Sequence, residues 1–203
     1  MRRTLQAFLS GVALVVAILL VQPVPVLARQ STNAVALQRI HIDNFGQINE
    51  GYFRGAQPNG RDFSDLKALG VKTVIDLTKD GEASEAGIVE SLAMTFHRIP
   101  MTTTDTPTAK TVEDFLAIVN DPSNLPVYVH CQGGRHRTGA MTAVYRLTHD
   151  KWTADQAYGE MKKYGFETFI GHPQLKTFVY DYYQKLTAAA AGRAKDESKS
   201  EAR

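Results

Sequence analysis

Cysteine is almost missing from this chain: Cys131 is the one cysteine among 203 residues. No internal disulfide can form, and no thiolate-rich metal centre can be built. Tryptophan is as scarce, with Trp152 alone. No cluster of His, Cys, Asp or Glu stands at metal-ligand spacing, so no metal or other cofactor is expected. Neither sign of charge prevails, since 23 Lys and Arg face 21 Asp and Glu for a formal +2. That balance excludes the broad basic field of a nucleic-acid-binding domain. No segment repeats. What is present, 43% hydrophobic and 22% charged residues, suits one globular core.

The N-terminus stands apart. Arg2 and Arg3 precede an apolar run from Ala7 to Val21, followed by Pro23, Pro25 and Val26-Leu27-Ala28. A charged start, a short apolar stretch and a small residue at a Val-x-Ala site predict a secretory signal over residues 1–28, cut after Ala28. An uncleaved anchor is the alternative, and it would tether the domain to a membrane facing outside the cytoplasm. The run is short against the ~20 residues of a span, which favours cleavage. No Cys lies near the cut site, so the usual lipoprotein signal is excluded. Without residues 1–28 the chain is close to neutral. The expected location is exported, periplasmic or secreted. A lone thiol there is open to oxidation, so Cys131 is expected to be kept for chemistry.

Along the rest of the chain, residues 29–37 read as a loose lead-in. Ile40 to Phe45 alternates as a half-buried strand does, and Gly51 to Arg54 could pair with it as a hairpin. Asn59 is placed to cap a helix reaching Leu69, ended by Gly70. Val71 to Leu77 predicts a central parallel strand. The loop after it carries Asp80 and Glu82 at the sheet edge where ligands bind. Ala83 to Ala93 reads as helix, Thr95 to Ile99 as strand, and Met101 to Lys110 as a polar loop. Thr111 to Asn120 is an amphipathic helix. Thr153 caps a helix to Tyr164, and His172-Pro173 opens the last one. Residues 188–203, rich in Ala, Ser and charge, predict a disordered tail. The β–α alternation gives one α/β domain over residues 38–187, with a central, mostly parallel sheet of four to five strands flanked by helices.

The most informative stretch is VYVHCQGGRHRTGA, Val127 to Ala140. A buried strand ends in His130 and Cys131, five residues follow, and Arg137-Thr138-Gly139 opens a helix. Strand, tight loop and helix N-terminus form an anion site, because free amides and the helix dipole point inward. The same dipole and a nearby Arg stabilise a thiolate. A loop holding phosphate against a thiolate predicts nucleophilic phosphatase chemistry. Cys131 would attack. Arg137, bidentate, and the amides of the loop from Gln132 onward would neutralise the phosphoryl oxygens. Thr138 would donate its hydroxyl to the leaving sulfur in the second step.

This stretch resembles the HCxxxxxR(S/T)G signature of the cysteine-dependent protein tyrosine phosphatase superfamily. The resemblance implies the same roles for Cys131, Arg137 and Thr138, and a supporting role for His130 under the loop and thiolate. It also implies an Asp general acid on a separate upstream loop. Asp105, in the polar loop after Thr95–Ile99, fits that position; its structural alternative is to cap the following helix, and Asp80 is the fallback acid. Phe53 to Pro58 (FRGAQP) is similar to the entry segment of bacterial dual-specificity-like phosphatases. The Trp-Pro-Asp segment of the large tyrosine-specific enzymes is absent, which points to the smaller dual-specificity-like or atypical branch.

The variable loop residues Gln132, Gly133, Gly134, Arg135 and His136 are the candidate substrate-binding set. Arg135-His136 resembles the Lys-His of plant and fungal atypical phosphatases acting on inositol pyrophosphates, whereas Gln132-Gly133 replaces their Lys-Arg pair. The expected substrate is a phosphomonoester on protein Tyr, Ser or Thr, or alternatively an inositol phosphate or phosphoinositide lipid. A non-catalytic phosphate-binding module is a further alternative. A rhodanese-like or arsenate-reducing enzyme is disfavoured by loop length and the single Cys.

Overall fold

The computed structural model describes residues 35–167 and 172–201. The expected signal or anchor, residues 1–28, lies outside them. Five strands form one sheet in the order β1-β2-β5-β3-β4: β1 Gly46–Asn49, β2 Tyr52–Gly55, β3 Thr73–Thr78, β4 Thr95–Met101 and β5 Val127–His130. β1 runs antiparallel to β2, and every other pairing is parallel. The helices are α1 Asp62–Ala68, α2 Glu85–Ser91, α3 Ala109–Val119, α4 Arg137–His149, α5 Ala154–Lys163 and α6 Pro173–Glu201. This is the expected single α/β domain with its mostly parallel sheet.

β5 sits in the middle because it is apolar on both sides. Val127 and Val129 face one core cluster with Phe115 of α3, Met141 and Val144 of α4, Met161 of α5 and Leu175 of α6. Tyr128 faces the other with Phe63 and Leu66 of α1 and Val89 of α2. Each such buried side chain contributes about 1.5–3 kcal/mol over exposure. Period-2 alternation then assigns His130 and Cys131 to opposite faces at the strand end. His130 falls on the α1–α2 face, stacked with Tyr128 at 5.6 Å between ring centroids, and Cys131 joins the α4 face. The parallel register places Gly55 of β2 and Asp76 of β3 on either side of His130.

Several expectations shift. The first hairpin strand is Gly46–Asn49, not Ile40 to Phe45, because Asn44 turns to φ +54 and breaks the extended run. Residues 35–37, expected as loose, form a helical turn whose Ala36 is buried against the α1 side. Asn59 does not cap α1; the helix starts at Asp62, whose carboxylate accepts from the Asn59 amide at 2.9 Å. Residues 188–201, expected as a disordered tail, continue α6 as an exposed helix. The Ala188 to Ala191 run has the strongest helix propensity available and extends a helix already nucleated by packing. Among the described residues no helix is long and apolar enough to cross a membrane.

Candidate active site

The loop between β5 and α4 is shaped from behind. Its three successive carbonyls each accept a hydrogen bond from the β2 side of the molecule. The Gln57 amide donates to Gln132 O at 3.1 Å, Asn44 Nδ2 to Gly133 O at 2.8 Å, and Arg54 Nη2 to Gly134 O. In a planar peptide the next N–H points opposite to the C=O. Carbonyls held outward therefore turn the amides of Gly133, Gly134 and Arg135 inward. Gly134 makes the turn at φ +64, and a Cβ there would lie 2.4 Å from the Gly55 carbonyl carbon, so no side chain fits. No side chain caps α4 at its N-terminus, which leaves the amides before Gly139 for an anion.

Cys131 and Arg137 line one hollow of about 380 Å³, together with Thr103, Gln132, Gly133, Arg135, His136 and His172. The Cys131 side chain is buried, 3% exposed, at the floor. Arg137 is anchored by donating from Nη1 to Met101 O at 3.3 Å, while its buried Nε has no partner. Thr138, fully buried, also has an unpartnered hydroxyl. Arg137 shares the hollow with the sulfur, and a free donor there suits a phosphoryl group. Burial and the cations of Arg135 and Arg137, with His172 nearby, push the His136 imidazole down to about 4. Its ring lies 4.0 Å from that of His172, centroid to centroid.

The expected acid is placed differently from the rest. Asp105 is exposed, on the loop that supplies Thr103 to the hollow, but it lines a separate hollow of about 240 Å³ with Lys79 and Thr102. Its Oδ2 accepts from the Thr102 hydroxyl at 2.7 Å. It does not cap α3; Thr108 does, accepting from the Thr111 amide at 3.1 Å. Asp80 lines neither hollow. Gly134, expected against substrate, serves the turn instead, whereas Gln132, Gly133, Arg135 and His136 do line the site.

Beneath His130 lies a network the sequence did not reveal. His130 Nε2 is 2.8 Å from Glu85 Oε1, off the direction a hydrogen bond requires, and Nδ1 is 4.0 Å from Asp76 Oδ1. Asp76 Oδ2 accepts from Arg98 Nε at 2.7 Å, and Oδ1 accepts from the Thr78 amide and hydroxyl. Asp76, Glu85 and His130 bring ligand atoms within 4.8 Å of one another. Both Asp76 oxygens are already engaged, however, and Arg98 Nη2 also stands 3.7 Å from Glu85. The arginine holds the place a cation would take, so the donor set does not fit a metal. His130 thus lies on the sheet face opposite the sulfur, against Tyr128 and Glu85. Asn44, Gln57, Asp76, Glu85, Thr103 and His172 were missed. The signals were a buried-type Asp in the apolar VIDL strand and a His directly before Pro173.

The family model described as DSP-PTPase phosphatase fused to NAD+ Kinase matches residues 32–176. The chain belongs to this phosphatase family. Among its relatives, the probable tyrosine-protein phosphatase DG1060 of Dictyostelium discoideum is 28% identical over 126 residues, covering 60% of this chain and 75% of that one. The inositol diphosphatase DSP3 of Arabidopsis thaliana is 29% identical, covering 59% and 61%. In fold, the chain is similar to the core catalytic domain of the PP-IP phosphatase SIW14 of S. cerevisiae, solved with citrate. That likeness has a TM-score of 0.63 at 19% identity, covering 77% of this chain and 95% of that one. The protein is accordingly a cysteine-dependent phosphatase of the tyrosine and dual-specificity type, a hydrolase.

Proposed function

We propose that the enzyme hydrolyses phosphomonoesters through a phosphocysteine intermediate on Cys131. The observation that carries this reading is the convergence of Cys131, Arg137 and the inward-facing loop amides on one hollow. In the first step the thiolate attacks phosphorus in line, Arg137 and the amides hold the equatorial oxygens, and Asp105 protonates the departing oxygen. Asp105 reaches the leaving group by a shift of its short polar loop, since Thr103, two residues away, already lines the hollow. In the second step water attacks the phosphocysteine, Asp105 takes its proton, and the Thr138 hydroxyl stabilises the departing sulfur.

The rim gives a preference within that reading. Arg135, His136 and His172 surround the mouth, and among the described residues no large apolar side chain lines it. Such a wall favours a substrate with further anionic groups beside the scissile phosphate, as in inositol phosphates, over a bare phenyl phosphate. The name of the Arabidopsis relative agrees with this preference, and that of the Dictyostelium relative keeps phosphotyrosine proteins as the second reading. Export remains part of the proposal, on the charge and hydropathy pattern of residues 1–28. Phosphate release from the folded domain, compared across inositol polyphosphates, phosphoinositides and phosphopeptides, tests the preference. Higher kcat/KM for the inositol compounds is expected, and a preference for phosphopeptides would reverse it.

A further inference from the structure

Arg54 is a fully buried guanidinium, 0% exposed, near the end of β2. Among the described residues it has no ion-pair partner. The carboxylate that acts on it through space is Glu160, which is already held by Arg146 Nη2 at 2.6 Å and Nε at 3.1 Å. Its Nε and Nη1 have no hydrogen-bond partner, and its one bond runs from Nη2 to the Gly134 carbonyl. The Tyr164 ring covers it at 3.9 Å from the guanidinium carbon, a weak substitute for a counter-ion. Alternation along β2 puts Arg54 on the sheet face of Tyr52, the face that Cys131 also joins. A buried charge without compensation is strongly unfavourable, so a fold that keeps one has a use for it.

We propose that Arg54 is a positioning residue of the phosphate loop, and that the anion in the hollow is its counter-charge. That anion is the Cys131 thiolate when the site is empty and the phosphoryl group when it is filled. The inference rests on the phosphatase reading and adds to it a second arginine, set behind the loop where it touches no substrate. Its bond to Gly134 O turns the Arg135 amide inward, and its charge favours sulfur in the ionised form. Burial lowers the Arg54 pKa, and Tyr52, Tyr164, Glu160 and, least of these, Cys131 oppose that shift. Arg135, His136, Arg137 and His172 share the hollow with Cys131, His130 precedes it in the chain, and Tyr128 acts on both members of the pair.

The test is the pH profile of Cys131 alkylation by iodoacetamide in the full chain, for the wild type, Arg54→Met and Asn44→Ala. Alkylation needs no turnover, so its outcome separates this inference from the phosphatase reading. Arg54→Met is expected to fold, because an apolar side chain of similar reach replaces an uncompensated charge. Its alkylation midpoint should rise by about one pH unit, and inorganic phosphate should bind about tenfold more weakly. Asn44→Ala removes a neutral loop bond without changing any charge and should move the midpoint by clearly less than Arg54→Met does. A folded Arg54→Met with the wild-type midpoint would overturn the proposal. So would an Arg54→Met that fails to fold even in saturating phosphate, since the guanidinium would then serve the fold rather than the anion.

Discussion

On the α1–α2 face of the sheet, beneath His130, two buried carboxylates meet an arginine and an imidazole. On the α4 face, that of Cys131, a buried guanidinium stands with no ion-pair partner among the described residues. The first group balances its charges by ion pairs, with Arg98 against Asp76 and Glu85 and His130 against Glu85, although the Glu85 oxygens and both His130 nitrogens make no hydrogen bond. The second is left open among the described residues, with Arg54 and Arg137 in no ion pair and unpartnered donors on both and on Thr138. The two residues that head these groups are neighbours in sequence, separated only by the pleat of β5. A closed cluster makes a rigid floor, and an open one makes a site that an anion completes.

The largest effect should come from the open side. Cys131→Ser should abolish turnover of an aryl phosphate while retaining phosphate binding, and turnover at the wild-type rate would exclude the mechanism. Asp105→Asn should lower kcat by about 10²–10⁴ for a poor leaving group and far less for an activated aryl ester. Equal losses on both substrates would remove Asp105 from the acid role. On the closed side, Glu85→Gln takes one partner from a buried cluster and should cost about 3 kcal/mol of stability by denaturant unfolding. The contrast with Arg54→Met is the sharpest probe of the comparison: if both variants lost stability equally, the two faces would not differ in kind.

The smallest effect is a pH dependence at the rim. His136 is pushed down to about 4 in the fold from an ordinary 6.5, so the folded state favours its neutral ring. Its contribution is therefore complete above about 6.5 and is lost as pH falls toward about 4. His136→Gln should flatten that part of the Tm profile; an unchanged slope would assign it to other groups.

Much of the architecture was legible in the chain. The run from Val127 to Ala140 encodes its own strand, loop and helix start, because an apolar β-branched stretch, paired glycines and a helix-compatible segment succeed one another without conflict. Cys131, Arg137 and Thr138 could be read there directly. The donors that shape the loop could not, since Asn44, Arg54 and Gln57 approach it across the sheet, 75 or more residues away in sequence. A hydrophobic pattern carries no sign of such partners. The boundary at Gly46 was misread for a local reason: the alternation of Ile40 to Phe45 imitates a strand, and only the φ +54 of Asn44 ends it. The tail was read from its polarity, whereas its alanines and its attachment to a packed helix decide its conformation.

The central claim concerns a covalent bond to one sulfur, and it can be observed. Thr138→Ala should slow release of the sulfur, so that rapid acid quench during turnover, digestion and mass spectrometry find one phosphoryl group on the peptide that contains Cys131. Turnover with no phosphoryl group on that peptide in the quenched variant, or with the group on another residue, would contradict the account.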